Sequence, residues 1–142
     1  MNETDTAPLS GYQLYDPDDP FEMRCGPFFW RRLDDGGHHF IVKAEPRHCN
    51  RQGIVHGGLM MTMIDLALAA TAKEVLQDRY VTISLNSEFV AAGGNGDIIE
   101  ATGELVRRTR SLAFVRGQVS TDSRVLLTAS GVFKRLQDRA SA

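Results

Sequence analysis

Four residues that can carry out acyl-transfer chemistry lie within a stretch of sixteen: Asn50, His56, Gly57 and Asp65. Asn50 and His56 bring hydrogen-bonding side chains, and Gly57 with Gly58 lets the backbone approach a substrate closely. If a helix begins at these glycines, its first N–H groups lack intrahelical partners and can hold a developing negative oxygen. Polarising donors beside a carboxylate are what an acyl-transfer site needs. A Gly-Gly pair alone is typical of a tight loop, so the prediction depends on the combination.

Asp65 is the only formally charged residue between Gly53 and Ala72. Of its same-face neighbours by helical spacing, Met61, Thr62, Leu68 and Ala69, only Thr62 is polar. This pattern predicts a buried helix and a carboxylate in a medium of low dielectric constant. Burying an unpaired carboxylate is costly, so we expect a chain that keeps it to use it as a general base, nucleophile or ligand. The alternative is an ordinary exposed aspartate on a helix surface.

The periodicity of apolar residues predicts the elements that hold this site. Asp34-Asp35-Gly36-Gly37 is a strong turn signal between two short strands, and a helix is expected over Gly58 to Leu76. Four strands with a period of two follow, at 81–89, 98–107, 112–120 and 124–134. This order predicts an α+β fold with one long helix inserted after the first hairpin of an antiparallel meander. Residues 1–20 are expected to form a polar tail, partly ordered near its tyrosines, and residues 21–142 a single domain.

Composition excludes several classes of protein. The 142 residues carry a formal net charge of -2 without a long basic block, so we expect no nucleic-acid partner. The most apolar run is shorter than the roughly 18 to 20 residues of a membrane span, so no membrane segment is expected. Two cysteines, Cys25 and Cys49, favour a reduced cytoplasmic protein over a disulfide-stabilised one.

Metal and cofactor signatures are weak or missing in the sequence. The pairs His38-His39 and His48-Cys49 lack the short ligand spacing that identifies zinc sites. The sequence contains no phosphate-binding loop, dinucleotide fingerprint or serine-hydrolase elbow. We therefore expect neither a metal nor a cofactor.

The stretch from His48 to Asp65 resembles the hotdog-fold thioesterase superfamily, in particular the phenylacetate-pathway (PaaI-type) acyl-CoA thioesterases. The family signature of Asn, Gly, His-Gly-Gly and an acidic helix residue stands here as Asn50, Gly53, His56-Gly57-Gly58 and Asp65. The likeness covers residues 27–133. It implies a curved antiparallel sheet wrapped around the long helix, a homodimer formed through the edge strand, and further assembly into a homotetramer.

The resemblance also implies a role for each site residue. In the family, Asn50, His56 and Gly57 of one subunit face Asp65 of the other. The Gly57 N–H polarises the thioester carbonyl with help from Asn50 and His56, while Asp65 activates water or attacks directly. A hydroxyl on the strand after the helix assists the water, a role that Thr82 fits best and Ser84 second.

Arg107, Arg108 and Arg110 lie at a predicted hairpin tip. Exposed arginines at a turn are usually only solvated charges. The resemblance offers a second interpretation, in which they bind the phosphates of CoA through their planar guanidinium groups.

The sequence thus favours an enzyme that hydrolyses an acyl-CoA thioester to a carboxylic acid and free CoA, with CoA as part of the substrate. The alternative is a hotdog module that binds acyl-CoA without cleaving it, and the retained Asp65 argues against a pure binder. Hotdog dehydratases are disfavoured because the helix has no histidine after His56. The acyl group is left open, since a pocket's shape depends on several strands and a partner.

Overall fold

A computed structural model describes residues 7–77 and 79–137 of the chain. Its elements in chain order are β1 (Gln13–Leu14), α1 (Pro20–Cys25), β2 (Phe29–Arg32), β3 (His38–Lys43), α2 (Gly57–Leu76), β4 (Tyr80–Phe89), β5 (Ile98–Arg108), β6 (Leu112–Thr121) and β7 (Arg124–Arg135). The seven antiparallel strands form one sheet with the spatial order β1-β2-β3-β5-β6-β7-β4. The long helix α2 packs on one face of that sheet and contacts β3 to β7.

The sheet approaches α2 closely at Leu68, where two glycines face the helix. Gly103 of β5 pairs with Gly117 of β6. A Cβ atom on either glycine would lie 3.0 Å from the Leu68 side chain, and one on Gly117 would also lie 2.2 Å from the carbonyl oxygen of Thr102. These contacts leave no room for a side chain, so the two glycines set the distance between helix and sheet.

One side of α2 is buried and the other is only partly covered. Met63, Ile64 and Leu68 are fully buried against the sheet. Asp65 is half-buried, as are its neighbours along the helix surface, Met61 and Ala69. The expectation that the helix is buried on all sides is therefore wrong for the single chain, because β4 and α1 cover this stripe only in part.

The segment before β2 packs against the sheet over its described part. β1 pairs with β2, and the Tyr15 ring meets Trp30 and Phe40 edge-on, with centroids 6.0 and 4.9 Å away. Tyr12 Oη lies 2.6 Å from Nδ1 of His39. Order near the two tyrosines was expected, while residues 1–6 and 138–142 of the expected tail and domain lie outside the described residues.

Two further properties bear on the sequence-based expectations. Cys25 and Cys49 are both free thiols. Within the described ranges, no helix combines the length and the apolar character that crossing a membrane requires.

Candidate active site

The loop before α2 is shaped by Asn50. Its Oδ1 accepts hydrogen bonds from the backbone N–H groups of Gln52, at 2.9 Å, and Ile54, at 3.2 Å. Gly53 has a φ of +77°, a backbone conformation that favours glycine. The carbonyl side of the Asn50 amide is therefore committed to the loop, and the exposed residue has its amide N–H groups to offer to a ligand.

His56 caps the N-terminus of α2. Its Nδ1 accepts the N–H of Gly58 at 2.8 Å, so the neutral imidazole carries its proton on Nε2 and can donate it outward. This bond occupies the Gly58 N–H, whereas the Gly57 N–H has no hydrogen-bond partner within the described part of the chain. Of the two expected backbone donors, Gly57 is thus the one free to meet a substrate.

Gly57 is also close to an aromatic ring. A Cβ atom at this position would lie 3.0 Å from Cε1 of Phe89, at the end of β4. The glycine therefore lets the Phe89 ring pack closely against the start of the helix.

Asp65 lies nearly midway along α2 and is held by β4. The hydroxyl of Thr82 donates a hydrogen bond of 2.9 Å to Asp65 Oδ1. The other oxygen, Oδ2, is left to accept a proton or to attack a carbonyl carbon. Asp65 and Thr82 line an open cleft of about 510 Å³.

A bulge in β4 decides which hydroxyl faces Asp65. Thr82 pairs with Phe133 of β7 and Ser84 pairs with the adjacent Val132, so Ile83 is the extra residue. The extra residue reverses the alternation of side chains beyond it. The Oγ of Ser87 consequently contacts Met61 on α2 at 2.9 Å, whereas Ser84 Oγ contacts the Asn86 amide at 3.3 Å. Simple alternation along β4 would place Thr82, Ser84 and Asn86 on one face, and the bulge separates Thr82 from the other two.

A single chain separates the carbonyl-polarising groups from the carboxylate. Gly57 and Asp65 are eight positions apart in the helix, which corresponds to about 12 Å along the axis. Asn50 and His56 lie at the Gly57 end. One thioester carbonyl cannot contact both groups within one copy of the chain.

The three candidate arginines are exposed at the β5–β6 hairpin. They do not line the Asp65 cleft, but Arg108 is on the same level of the sheet as Thr82. Arg108 pairs with Ala113, which pairs with Phe133, the partner of Thr82. Three strand spacings place Arg108 about 14 Å from Thr82.

The sequence analysis missed the contribution of α1 to the cleft. Asp19, Phe21 and Glu22 line it together with Asp65 and Thr82. Asp19 caps α1 by accepting the N–H of Glu22 at 2.9 Å, and Pro20 occupies the first turn. An Asp followed by Pro is a recognisable helix start, so the sequence contained a signal for α1 but none for where it docks.

The loop that carries Asn50 also holds α1 in place. The Arg47 guanidinium donates to the carbonyl oxygens of Arg24, at 2.9 Å, and Gly26. The buried His48 accepts the Glu45 N–H at Nδ1, so its Nε2–H donates to the Cys25 carbonyl oxygen at 2.7 Å. The end of α1 is therefore fixed to the residues just before Asn50.

Glu22 is the most perturbed carboxyl group of the cleft. Its Oε2 is buried and has no hydrogen-bond partner in the described residues. Burial, followed by the negative charges of Asp19, Asp16 and Asp65, raises the pKa of Glu22 to about 7. Oxygen atoms of Asp16, Asp19 and Glu22 lie within 4.8 Å of one another, a spacing that exposed acidic groups often show without an ion.

Two relatives in sequence resemble the chain over most of its length. A protein of Pseudomonas aeruginosa named as an esterase is 30% identical over 128 residues, or 87% of this chain and 93% of that protein. Acyl-coenzyme A thioesterase 13 of Mus musculus is 27% identical over 94 residues, or 63% of this chain and 65% of that protein. The family model of the thioesterase superfamily matches residues 52–128.

Solved structures share the fold. A protein of Bacillus halodurans, crystallised with CoA, is 27% identical with a TM-score of 0.71, and the match covers 78% of this chain and 74% of that one. A thioesterase from Ralstonia eutropha, described as related to phenylacetic acid degradation, is 25% identical with a TM-score of 0.73. That match covers 82% of this chain and 90% of the other. The expected hotdog α+β fold is confirmed.

Proposed function

The chain belongs to the thioesterase superfamily, and we propose that it hydrolyses an acyl-CoA thioester to a free carboxylic acid and CoA. The CoA bound to the B. halodurans protein and the activity named for the mouse relative support CoA thioesters as the substrate class. CoA is part of the substrate, and the reaction requires no cofactor.

The observation that carries this proposal is the hydrogen bond from Thr82 to Asp65. It fixes Oδ1 of the carboxylate on the wall of a cleft and leaves Oδ2 available to accept a proton or to attack the carbonyl carbon. As a general base, Asp65 takes a proton from water while the water oxygen bonds to the carbonyl carbon. The carbon–sulfur bond then breaks, and the CoA thiolate leaves and is protonated. As a nucleophile, Asp65 bonds to the carbonyl carbon itself, the carbon–sulfur bond breaks, and the CoA thiolate leaves and is protonated. Water then hydrolyses the resulting anhydride, which releases the carboxylic acid and restores Asp65.

Three donors are available to polarise the thioester carbonyl. They are the Gly57 N–H at the start of α2, the Nε2–H of His56 and the amide N–H of Asn50. Hydrogen bonds to the oxygen strengthen as it gains negative charge, and removal of one such donor typically costs about 10² to 10³ in rate. The positive end of the helix dipole acts in the same direction.

We propose that two copies of the chain build each site. The separation of Gly57 from Asp65 along α2 supports this, since the donors of one copy can meet the carboxylate of another. β4 lies at an edge of the sheet and exposes Val81, Ile83 and Phe89, and the α2 stripe containing Asp65 is partly uncovered. A second copy that pairs along β4 would cover both surfaces, which is favourable for an exposed apolar edge. Assembly of such homodimers into a homotetramer is a further part of the proposal.

Arg107, Arg108 and Arg110 are proposed to bind the phosphates of CoA. Their exposure and the distance of about 14 Å from Arg108 to Thr82, estimated from the strand spacing, support this role. Guanidinium groups match phosphate oxygens in geometry as well as charge. Gly58 is proposed to contribute only by its lack of a side chain, because His56 occupies its N–H.

The test is a panel of aromatic, medium-chain and hydroxylated acyl-CoA thioesters, with a thiol reagent that detects free CoA. We expect turnover of at least one substrate, and Asp65→Asn should lower the turnover rate by about 10² to 10⁴. Asp122→Asn is the matched control, because Asp122 lies in the exposed β6–β7 turn and Asn tolerates its φ of +47°. Binding of the panel without CoA release by the wild-type protein would instead identify a non-catalytic acyl-CoA module.

A further inference from the structure

The cleft beside Asp65 is acidic at one end. Apolar side chains form much of its wall, including Phe21, Leu66 and Leu85. Its ionisable lining residues are all carboxylic acids, Asp19, Glu22 and Asp65, with no Lys, Arg or His among the described residues that line it. Asp16, next to the mouth, adds a fourth acidic group. The apolar walls favour an apolar group in the cleft, and the carboxylates disfavour a negatively charged one.

The acidic lining indicates which end of an acyl-CoA enters the cleft. The nucleotide end of CoA carries several phosphate charges, and these would be repelled by carboxylates a few ångströms away. The acyl chain is attached to the carbonyl on which Asp65 acts, and the apolar walls suit it. The acyl group is therefore the part of the substrate that meets α1.

Glu22 is the group best placed to interact with that acyl chain. The α1 helix that carries it is fixed by the hydrogen bonds of Arg47 and His48. Its Oε2 is shielded from solvent and has no partner among the described residues. A charge on a substrate in the cleft would therefore interact with the Glu22 carboxylate more strongly than with a fully solvated one, because one of its oxygens is shielded from water.

We propose that Glu22, assisted by Asp19, determines acyl specificity by charge: it selects against acyl groups that end in a carboxylate and favours those that end in an amine over their neutral counterparts. This inference rests on the proposed acyl-CoA substrate class. It adds a residue and a selectivity rule to the site.

Glu22 also changes charge in the physiological pH range. Its pKa of about 7 results from burial and from the facing carboxylates of Asp19, Asp16 and Asp65, with Tyr15 as the other titratable neighbour. The carboxyl group is largely neutral at pH 6 and largely ionised at pH 8. Selection by charge should therefore be stronger at pH 8 than at pH 6.

The experiment uses three acyl-CoA thioesters of equal chain length: hexanoyl-CoA, adipoyl-CoA and 6-aminohexanoyl-CoA. For each, kcat/KM is measured at pH 8, and Kd is measured for the corresponding uncleavable thioether. In Glu22→Gln, the preference for hexanoyl over adipoyl should fall by about tenfold, and the preference for 6-aminohexanoyl over hexanoyl should also fall by about tenfold. Relative to hexanoyl-CoA, kcat/KM should thus rise for adipoyl-CoA and fall for 6-aminohexanoyl-CoA. Altered packing alone would not move the two values in opposite directions.

Two variants complete the design. Asp19→Asn removes a charge while retaining the helix cap, so it should shift both preferences in the same directions as Glu22→Gln. Asp18→Asn removes a charge from an exposed position in the same segment that does not line the cleft, and should leave both preferences within about twofold of wild type.

Every outcome decides one of the two proposals. Unchanged preferences in a folded, active Glu22→Gln protein would overturn the charge rule and leave the hydrolase proposal standing. If the wild-type protein releases CoA from none of the thioesters, the hydrolase proposal is overturned. The ratios of the thioether Kd values then still decide the charge rule. Failure of the wild-type protein to bind any of the three thioethers would overturn the charge rule as well.

Discussion

At the scale of single residues, the side chain next to Asp65 is set by one extra residue in β4. Alternation alone predicts that Thr82 and Ser84 face the same way, and the bulge at Ile83 separates them. The hydrophobic pattern of a strand does not show which face each side chain occupies beyond a bulge, because the bulge depends on pairing with the neighbouring strand. Sequence analysis therefore identified two candidate hydroxyls, and the structure was needed to choose between them.

Thr82→Val tests the role of that hydroxyl. The substitution keeps the shape of the side chain and removes the donor to Asp65 Oδ1, so kcat should fall by about tenfold as the carboxylate loses its orientation. Thr82→Ser should retain most of the activity. Ser84→Ala is the matched control, and a loss of activity in Ser84→Ala with normal activity in Thr82→Val would contradict the assignment. Steady-state release of CoA supplies the measurement.

Glu22 should make stability depend on pH. Because its pKa is raised from 4.5 to about 7, the folded protein retains a proton between these values that the unfolded chain releases. Stability contributed by this group is present below pH 4.5 and is lost as pH rises towards 7. Glu22→Gln removes the ionisation, so its gain in Tm over wild type should be larger at pH 8 than at pH 5. Equal shifts at both pH values, measured by thermal melts with Asp18→Asn as control, would contradict the shifted pKa.

At the scale of elements, the sequence predicted α2 and the four strands after it, β4 to β7, to within a residue or so at their ends, whereas β1 was not predicted. The helix was expected from Gly58 and begins at Gly57; β4 was expected from Val81 and begins at Tyr80. These elements carry strong apolar periodicity, which directly reflects burial. The docking of α1 has no such signal, since Arg47 and His48 hold it through backbone carbonyls more than 20 residues away in sequence.

His48→Ala tests how α1 is held. The variant loses the hydrogen bonds to the Glu45 N–H and the Cys25 carbonyl oxygen and leaves both groups unpaired, so the free energy of unfolding should fall by about 2 kcal/mol. The wall of the cleft would also loosen, which should raise KM more than it lowers kcat. Gln52→Ala, in the exposed part of the same loop, is the control. Denaturant unfolding gives the first quantity, and an unaltered midpoint in His48→Ala would show that the contact does not hold α1.

At the scale of the whole molecule, the surfaces that a single chain leaves uncovered support the proposal that a second copy completes its site. The stripe of α2 around Asp65 and the apolar edge at β4 adjoin each other through the Thr82 contact. The sequence pointed to a second copy only through the family resemblance. A helix covered by its own sheet and one covered by a second copy have the same apolar sequence pattern. For that reason the prediction of a buried Asp65 fails in one chain, where the carboxylate is only half-buried.

Mixing two inactive variants tests the proposal that Asn50 and Asp65 of different copies act on one thioester. Asn50→Ala and Asp65→Asn proteins should each cleave the best acyl-CoA substrate at a small fraction of the wild-type rate. After subunit exchange, verified by mass spectrometry of the mixed dimers, each heterodimer should regain up to one intact site and a corresponding share of the wild-type rate. Proven exchange without any recovery would show that the two residues act within one chain, and would contradict the shared site.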